Sequence, residues 1–295
     1  MTTKNTYLPW ILLGGLALIW GSSFVLIKRG LLAYTPVEIG TIRMIVAGLC
    51  MLPFAARTFK AIPQNQWKYI LICAIFGNAI PAILYPWAQT YLSSGVTGVL
   101  SSLSPFFALL LGLLIFRVGV NRSQWWGVGI GLGGAAYLVL SQKGMGGNLD
   151  LGLNLYYGSF CVLAAMCYAF NANVVQQYLK EVKSSDIAVS ALVLAAVPYI
   201  LYLPFSDVWS KLQSHEHAWE SLGAISLLAF CSSVIASVIY TELIQRTSAV
   251  FASSVTYLIP IVALLIGARI GEAIVWTDML ATGVILSGVY LIGRK

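Results

Sequence analysis

The chain alternates from end to end between apolar runs of about 18 to 24 residues and short polar joints. A helix rises about 1.5 Å per residue, so such a run crosses a hydrocarbon core about 30 Å thick. Charged residues are 9% of 295, apolar residues 59%, and the mean hydropathy is +0.85. A soluble chain of this length needs far more surface charge. Lipid cannot satisfy free strand edges, and the runs lack the period-two alternation of a membrane barrel. What remains is an all-α polytopic membrane protein.

Ten spans are expected, at about 8–28, 36–56, 67–88, 93–116, 123–141, 153–178, 186–204, 219–241, 248–268 and 275–293. Ten spans put both termini on one side. Placing them in the cytoplasm leaves eleven Lys and Arg inside against five outside, with Arg43 inside a span, which is the orientation that the positive-inside rule favours. The first span lacks a small-residue cleavage site and reads as a mature helix rather than a signal peptide. The net charge of +7 is scattered over the joints. It forms no basic stripe for nucleic acid.

The sequence also repeats itself. A shift of 155 lays Tyr85 on Tyr240, Pro105 on Pro260, Ala108 on Ala263, Gly112 on Gly267 and Gly133 on Gly288. Earlier in each half, a shift of 148 lays Trp20-Gly21-Ser22-Ser23 against Tyr168-Ala169-Phe170-Asn171. The units are residues 1–143 and 144–295, five spans each. An odd number of spans inverts the second unit relative to the first, an architecture common among alternating-access carriers.

Polar residues in hydrocarbon are costly and face the protein interior. Here they concentrate in spans one, three, four, six, eight and nine, and the second adds two charged groups. The first carries Trp20, Ser23 and, at its end, Lys28; the second carries Glu38 and, deeper, Arg43. Asn78 and Tyr85 lie in the third, Ser101 in the fourth and Asn171 in the sixth. Ser233, Ser237 and Tyr240 follow in the eighth, Thr256 and Tyr257 in the ninth. Pro105 and Pro260 are expected to kink the fourth and ninth spans and wall one central site. The fifth and tenth, rich in Gly, read as packing helices that permit close approach within or between protomers.

Arg43 has three readings: it meets a solute carboxylate or phosphate, pairs with Glu38, or snorkels outward. Glu38 and Lys28 are the candidates for coupling. The carboxylates in or near spans (Glu38, Glu242, Glu272, Asp278) all stand near ends, so no proton relay of the Asp/Glu type is visible. The five cysteines form no CxxC pair and read as buried apolar side chains, and His215 and His217 as a solvated joint. No nucleophile, base and orienter combination and no metal motif is recognisable, so neither an enzyme nor a cofactor is expected.

Trp20-Gly21-Ser22-Ser23-Phe24, Pro36-x-Glu38 with Arg43, and the proline-centred fourth and ninth spans resemble the EamA family of the drug/metabolite transporter superfamily. The resemblance covers about residues 8–293. It implies a multi-pass carrier of the cell inner membrane, mostly an exporter of amino acids or related metabolites. Its fold is a basket of ten helices with a cavity lined by spans one, three, four, six, eight and nine. The family often has a Gly-Glu pair after the fourth and ninth spans; the second half keeps Gly271-Glu272, while the first has Arg117-Val118. The expected cargo is a small metabolite, a neutral or aromatic amino acid first. A cationic drug is the alternative, and a nucleoside or sugar phosphate the third reading. Membrane lipids are the other expected partners.

Overall fold

The computed structural model describes residues 7–141, 151–269 and 276–294. The Gly271-Glu272 pair lies outside the described residues. Helices α1 (Leu8–Gly30) and α2 (Pro36–Ala61) open the chain. The start of α2 is fixed by a capping box: Glu38 N–H donates to Thr35 Oγ1 at 3.4 Å, and Thr35 N–H donates to Glu38 Oε2 at 2.7 Å. Pro36, which has no N–H to leave unpaired, fits the first turn.

The third apolar run is one rod of three parts: α3 (Trp67–Ala74), a π-helical stretch Ile75–Ala79, and α4 (Ile80–Gln89). The fourth is two pieces, α5 (Ser94–Ser101), capped by Ser93, and α6 (Ser104–Leu114). Three long helices follow: α7 (Arg122–Ser141), α8 (Leu151–Tyr178) and α9 (Ser184–Tyr202). A short α10 (Val208–Ser214) occupies the longest hydrophilic joint. The eighth run resembles the third, with α11 (Ala218–Leu228), a π-helical stretch Ala229–Ile235 and α12 (Ala236–Arg246). The ninth is broken like the fourth into α13 (Ala249–Ser253) and α14 (Val255–Arg269), and α15 (Trp276–Gly293) ends the fold.

Among the described residues, seven helical stretches are long and apolar enough to cross a membrane, and they coincide with the first four and the sixth to eighth expected spans. Residues 249–262 and 279–293 form shorter apolar helices. The breaks in these two runs do not fall at the prolines. The fourth run breaks at Ser102-Leu103, and Pro105 sits in the first turn of α6, where its missing N–H costs nothing. The ninth breaks at Ser254, six residues before Pro260, which lies inside α14. The two breaks touch, because Ser102 Oγ donates to Thr256 O at 3.2 Å.

Polar ties close both faces of the bundle. On the face that carries the start of α1, Gln245 Nε2 donates to the Leu179 and Val182 carbonyls, both at 2.8 Å, and Ser184 Oγ donates to Glu242 at 2.6 Å. On the opposite face, α10 reaches back to α2, and Lys211 Nζ lies 2.6 Å from Glu38 Oε2. Tyr34, in the joint between α1 and α2, donates to Ala218 O at 3.2 Å. Burial and the Glu38 carboxylate push that phenol above its ordinary range, so it stays a donor.

Peripherally, α7 and α15 approach at backbone distance. A Cβ on Gly288 would stand 2.6 Å from Gly131 N and 2.8 Å from Gly127 O. Glycine is required there because no side chain can give way.

Candidate functional site

Two small lobes meet at the centre of the bundle. The first is polar, about 30 Å³, and is lined by Asn78, Asn171, Ser233, Ser237 and Thr241 together with Cys73, Ile187, Ala188 and Ala191. The second is more apolar, about 50 Å³, and is lined by Phe24, Ile27, Tyr85, Ser101, Thr256 and Ile259 with Ser23 and Ser104. Trp20, Arg43, Tyr168, Ser232 and Tyr240 border both. These volumes hold a few waters, far below the roughly 300–1,000 Å³ of small-molecule sites. The lobes as they stand are too small to hold a metabolite.

The partition between the lobes is aromatic. Trp20 stacks on Tyr168, centroids 6.2 Å apart with 27° between planes, and tilts against Tyr240 at 5.0 Å. Tyr168 in turn stacks on Tyr85 at 6.0 Å. Trp20 and Tyr168 are the residues that the 148 shift aligns, and Tyr85 and Tyr240 those that the 155 shift aligns. The four rings thus form a chain in which α1 meets α12 and α8 meets α4. A polar tie reinforces the partition: Ser23 and Ser232 hydroxyls are 2.5 Å apart, and Trp20 Nε1 donates to Ser232 O at 3.3 Å.

The π-helical stretches place groups on this wall. A π turn shifts the register of the rod by one residue and is often found at functional sites. In the first, Asn78 enters the polar lobe while its Nδ2 donates to Cys73 O at 3.0 Å. In the second, Ser232 and Ser233 point inward, and Ser233 Oγ accepts from Arg43 Nε at 2.9 Å.

Arg43 is 7% exposed. Glu38 is already engaged by Lys211 and by its own cap, so the expected alternative of an Arg43–Glu38 pair is not formed. Burial also excludes the snorkelling alternative. None of the ion pairs among the described residues involves Arg43, and no Asp or Glu is among the residues lining either lobe. A guanidinium in this position is a ready partner for an anionic group.

Of the remaining sequence candidates, Tyr257 is turned away. It is fully buried, donates to Val128 O at 3.0 Å and packs on Gly131, lining neither lobe. Lys28 lies at the end of α1 and donates to Gln89 O at 2.5 Å. Tyr168 and Ser232 are central, and the sequence reading did not select them. The alignment of Tyr168 with Trp20 was the available signal.

The chain matches known proteins over nearly its full length. It is 24% identical over 289 residues to an uncharacterized transporter of Archaeoglobus fulgidus, covering 97% of this chain and 99% of that one. It is 26% identical over 283 residues to the inner membrane transporter YedA of Escherichia coli K12, covering 94% and 88%. It is 25% identical over 285 residues to the S-adenosylmethionine/S-adenosylhomocysteine transporter of Chlamydia muridarum, again covering 94% and 88%. A crystal structure shares the fold at a TM-score of 0.71 and 16% identity, covering 95% of this chain and 94% of the other. The profile of the EamA-like transporter family matches twice, at residues 8–140 and 156–294. Its members are transporters and not enzymes. The protein is therefore a multi-pass inner-membrane secondary transporter of a small molecule with a small, aromatic-walled cavity at the centre of its bundle, and the chain belongs to the EamA-like transporter family.

Proposed function

We propose that the protein exports a neutral or aromatic amino acid from the cytoplasm by alternating access. In this reading the chain forms ten spans as two inverted repeats, residues 1–143 and 144–295, with both termini cytoplasmic. The polar lobe then faces the cytoplasm and the apolar lobe the outside. The observation that carries the reading is Arg43: a buried guanidinium whose partners among the described residues are neutral hydroxyls, those of Ser233 and Tyr168, beside four aromatic rings. A carboxylate supplies the missing charge, and a planar or apolar side chain suits the rings. Substrate contacts are proposed for Trp20, Ser23, Asn78, Tyr85, Ser101, Asn171, Ser233, Ser237, Tyr240 and Thr256. Tyr257 acts from behind this wall, by fixing α14 against α7. Glu38 and Lys28 act in closing the outer face rather than in carrying a coupling ion, since each is held by a neighbour.

A second reading has a specific basis. The Chlamydia relative is a S-adenosylmethionine/S-adenosylhomocysteine transporter. S-adenosylhomocysteine joins an α-amino acid end to a flat adenine, so the same Arg43 and the same rings suit it. A cationic drug is disfavoured because the described lining offers no carboxylate.

Counterflow in proteoliposomes tests the proposal. Vesicles are loaded with an unlabelled amino acid or S-adenosylhomocysteine, and uptake of the labelled compound is followed. Transient accumulation with a neutral or aromatic amino acid, lost in Arg43→Ala, is expected. Accumulation of S-adenosylhomocysteine alone selects the second reading, and no accumulation of either compound from folded protein sinks both.

A further inference from the structure

We infer that Asn171 is the recognition element for the substrate's α-ammonium group and that, with Arg43, it makes the polar lobe a receptor for the zwitterionic head of an α-amino acid. The inference rests on the amino-acid reading given above and assigns the orientation of the substrate in the site.

Asn171 is 9% exposed, lines the polar lobe, and its Oδ1 has no donor. A buried acceptor without a donor costs about 1–3 kcal/mol, and native structures rarely leave one unused. The backbone opposite has been cleared for this side chain. A Cβ on Gly77, in the first π-helical stretch, would stand 2.7–2.8 Å from Asn171 Cγ, Nδ2 and Oδ1.

Comparison of the two halves sharpens the point. Ser23 is the residue aligned with Asn171, and Ser232 the residue aligned with Gly77. In that cross-half pair the two hydroxyls satisfy each other at 2.5 Å. In the other cross-half pair glycine replaces the serine, and the oxygen of the longer amide is left facing the cavity without a donor. The same asymmetry holds for charge. Arg43 aligns with Ala191, which lines the same lobe as a methyl group. One lobe therefore combines an uncompensated cation with an unsatisfied carbonyl oxygen. Together they complement a carboxylate and an ammonium on one carbon.

The ammonium is met by a neutral oxygen and not by a carboxylate, so a compound that has the amine but lacks the carboxylate gains little. The substrate side chain then projects past the Trp20–Tyr168 partition toward Tyr85, Phe24 and Ile259. The lobes hold only about 30 and 50 Å³, so binding requires the partition to open.

The test uses the full chain in proteoliposomes and three probes: L-phenylalanine, 3-phenylpropionate, which lacks the amine, and phenethylamine, which lacks the carboxylate. Competition against labelled L-phenylalanine is expected to favour the amino acid over 3-phenylpropionate by roughly ten-fold in the native protein, the worth of one buried hydrogen bond to a charged group. Asn171→Leu is expected to erase that preference by weakening L-phenylalanine alone. Asn171→Asp, which keeps the size, is expected to retain it. Equal competition by 3-phenylpropionate in the native protein, or equal loss of both compounds in a folded Asn171→Leu, overturns the assignment while leaving the transport reading intact. Absence of L-phenylalanine counterflow, with phenethylamine transported instead, overturns both.

Discussion

Arg43 is held in the bundle at a cost to folding. Its desolvation is offset by neutral hydroxyls, those of Ser233 and Tyr168, whereas buried charges are ordinarily paired with an opposite charge. Replacing it with an apolar residue of similar length removes that cost. Arg43→Met is therefore expected to leave the melting temperature in detergent undiminished or raised while reducing counterflow at least ten-fold, the separation expected where function retains a destabilising group. A fall of several degrees would instead make Arg43 a structural residue and remove it from the site. The residue was legible in the sequence because charge within an apolar run has no trivial explanation. The same contrast picked out Asn78, Asn171 and Ser233. It failed for Tyr168, since a ring among apolar neighbours gives no contrast, and for Tyr257, whose hydroxyl serves the Val128 carbonyl. Which way a tyrosine points depends on helix rotation, and a helix polar on several sides leaves that rotation open.

The helices themselves divide in the same way. The seven long apolar stretches were legible from length and hydropathy alone, because burying a backbone in lipid leaves few alternatives to the helix. The π-helical stretches Ile75–Ala79 and Ala229–Ile235 were not, because extra residues in a helix carry no fixed sequence mark. Prolines pointed to the right helices and missed the positions of the breaks. Glycine was a better guide. In α7 and α15 it marks a contact at which backbone meets backbone, with Gly288 against Gly127 and Gly131. Gly288→Ala forces these helices apart. Overpacking of this kind costs about 1–3 kcal/mol, so a lower melting temperature is expected. The site lies elsewhere, so the KM for the transported compound should not change. A changed KM with stability intact would mean that the α7–α15 pair moves during transport instead of acting as a fixed rim.

For the molecule as a whole, the proposed alternating access makes the ring chain the point of exchange between the two sides. Trp20 against Tyr240 and Tyr168 against Tyr85 are equivalent contacts made by opposite halves, yet they differ in geometry: 5.0 Å and tilted against 6.0 Å and stacked. Ser232 is tied to Trp20 and Ser23 on one side, while Gly77 offers no side-chain tie on the other. The Trp20–Tyr240 side thus carries polar ties that its counterpart lacks. A solute that binds one arrangement better shifts the population toward it, by no more than its differential affinity. Single cysteines placed in the two lobes report this directly. In a background whose five native cysteines are replaced, Ala188→Cys samples the polar lobe and Ile27→Cys the apolar one. A membrane-impermeant maleimide is expected to label the Ala188→Cys variant from the cytoplasmic side and the Ile27→Cys variant from the outer side. Added substrate should change the two labelling rates in opposite directions, because opening one lobe closes the other. If both rates rise together, the lobes form one continuous path, and the protein conducts as a pore rather than alternating. If both fall together, the substrate stabilises an occluded arrangement, and release rather than entry limits turnover.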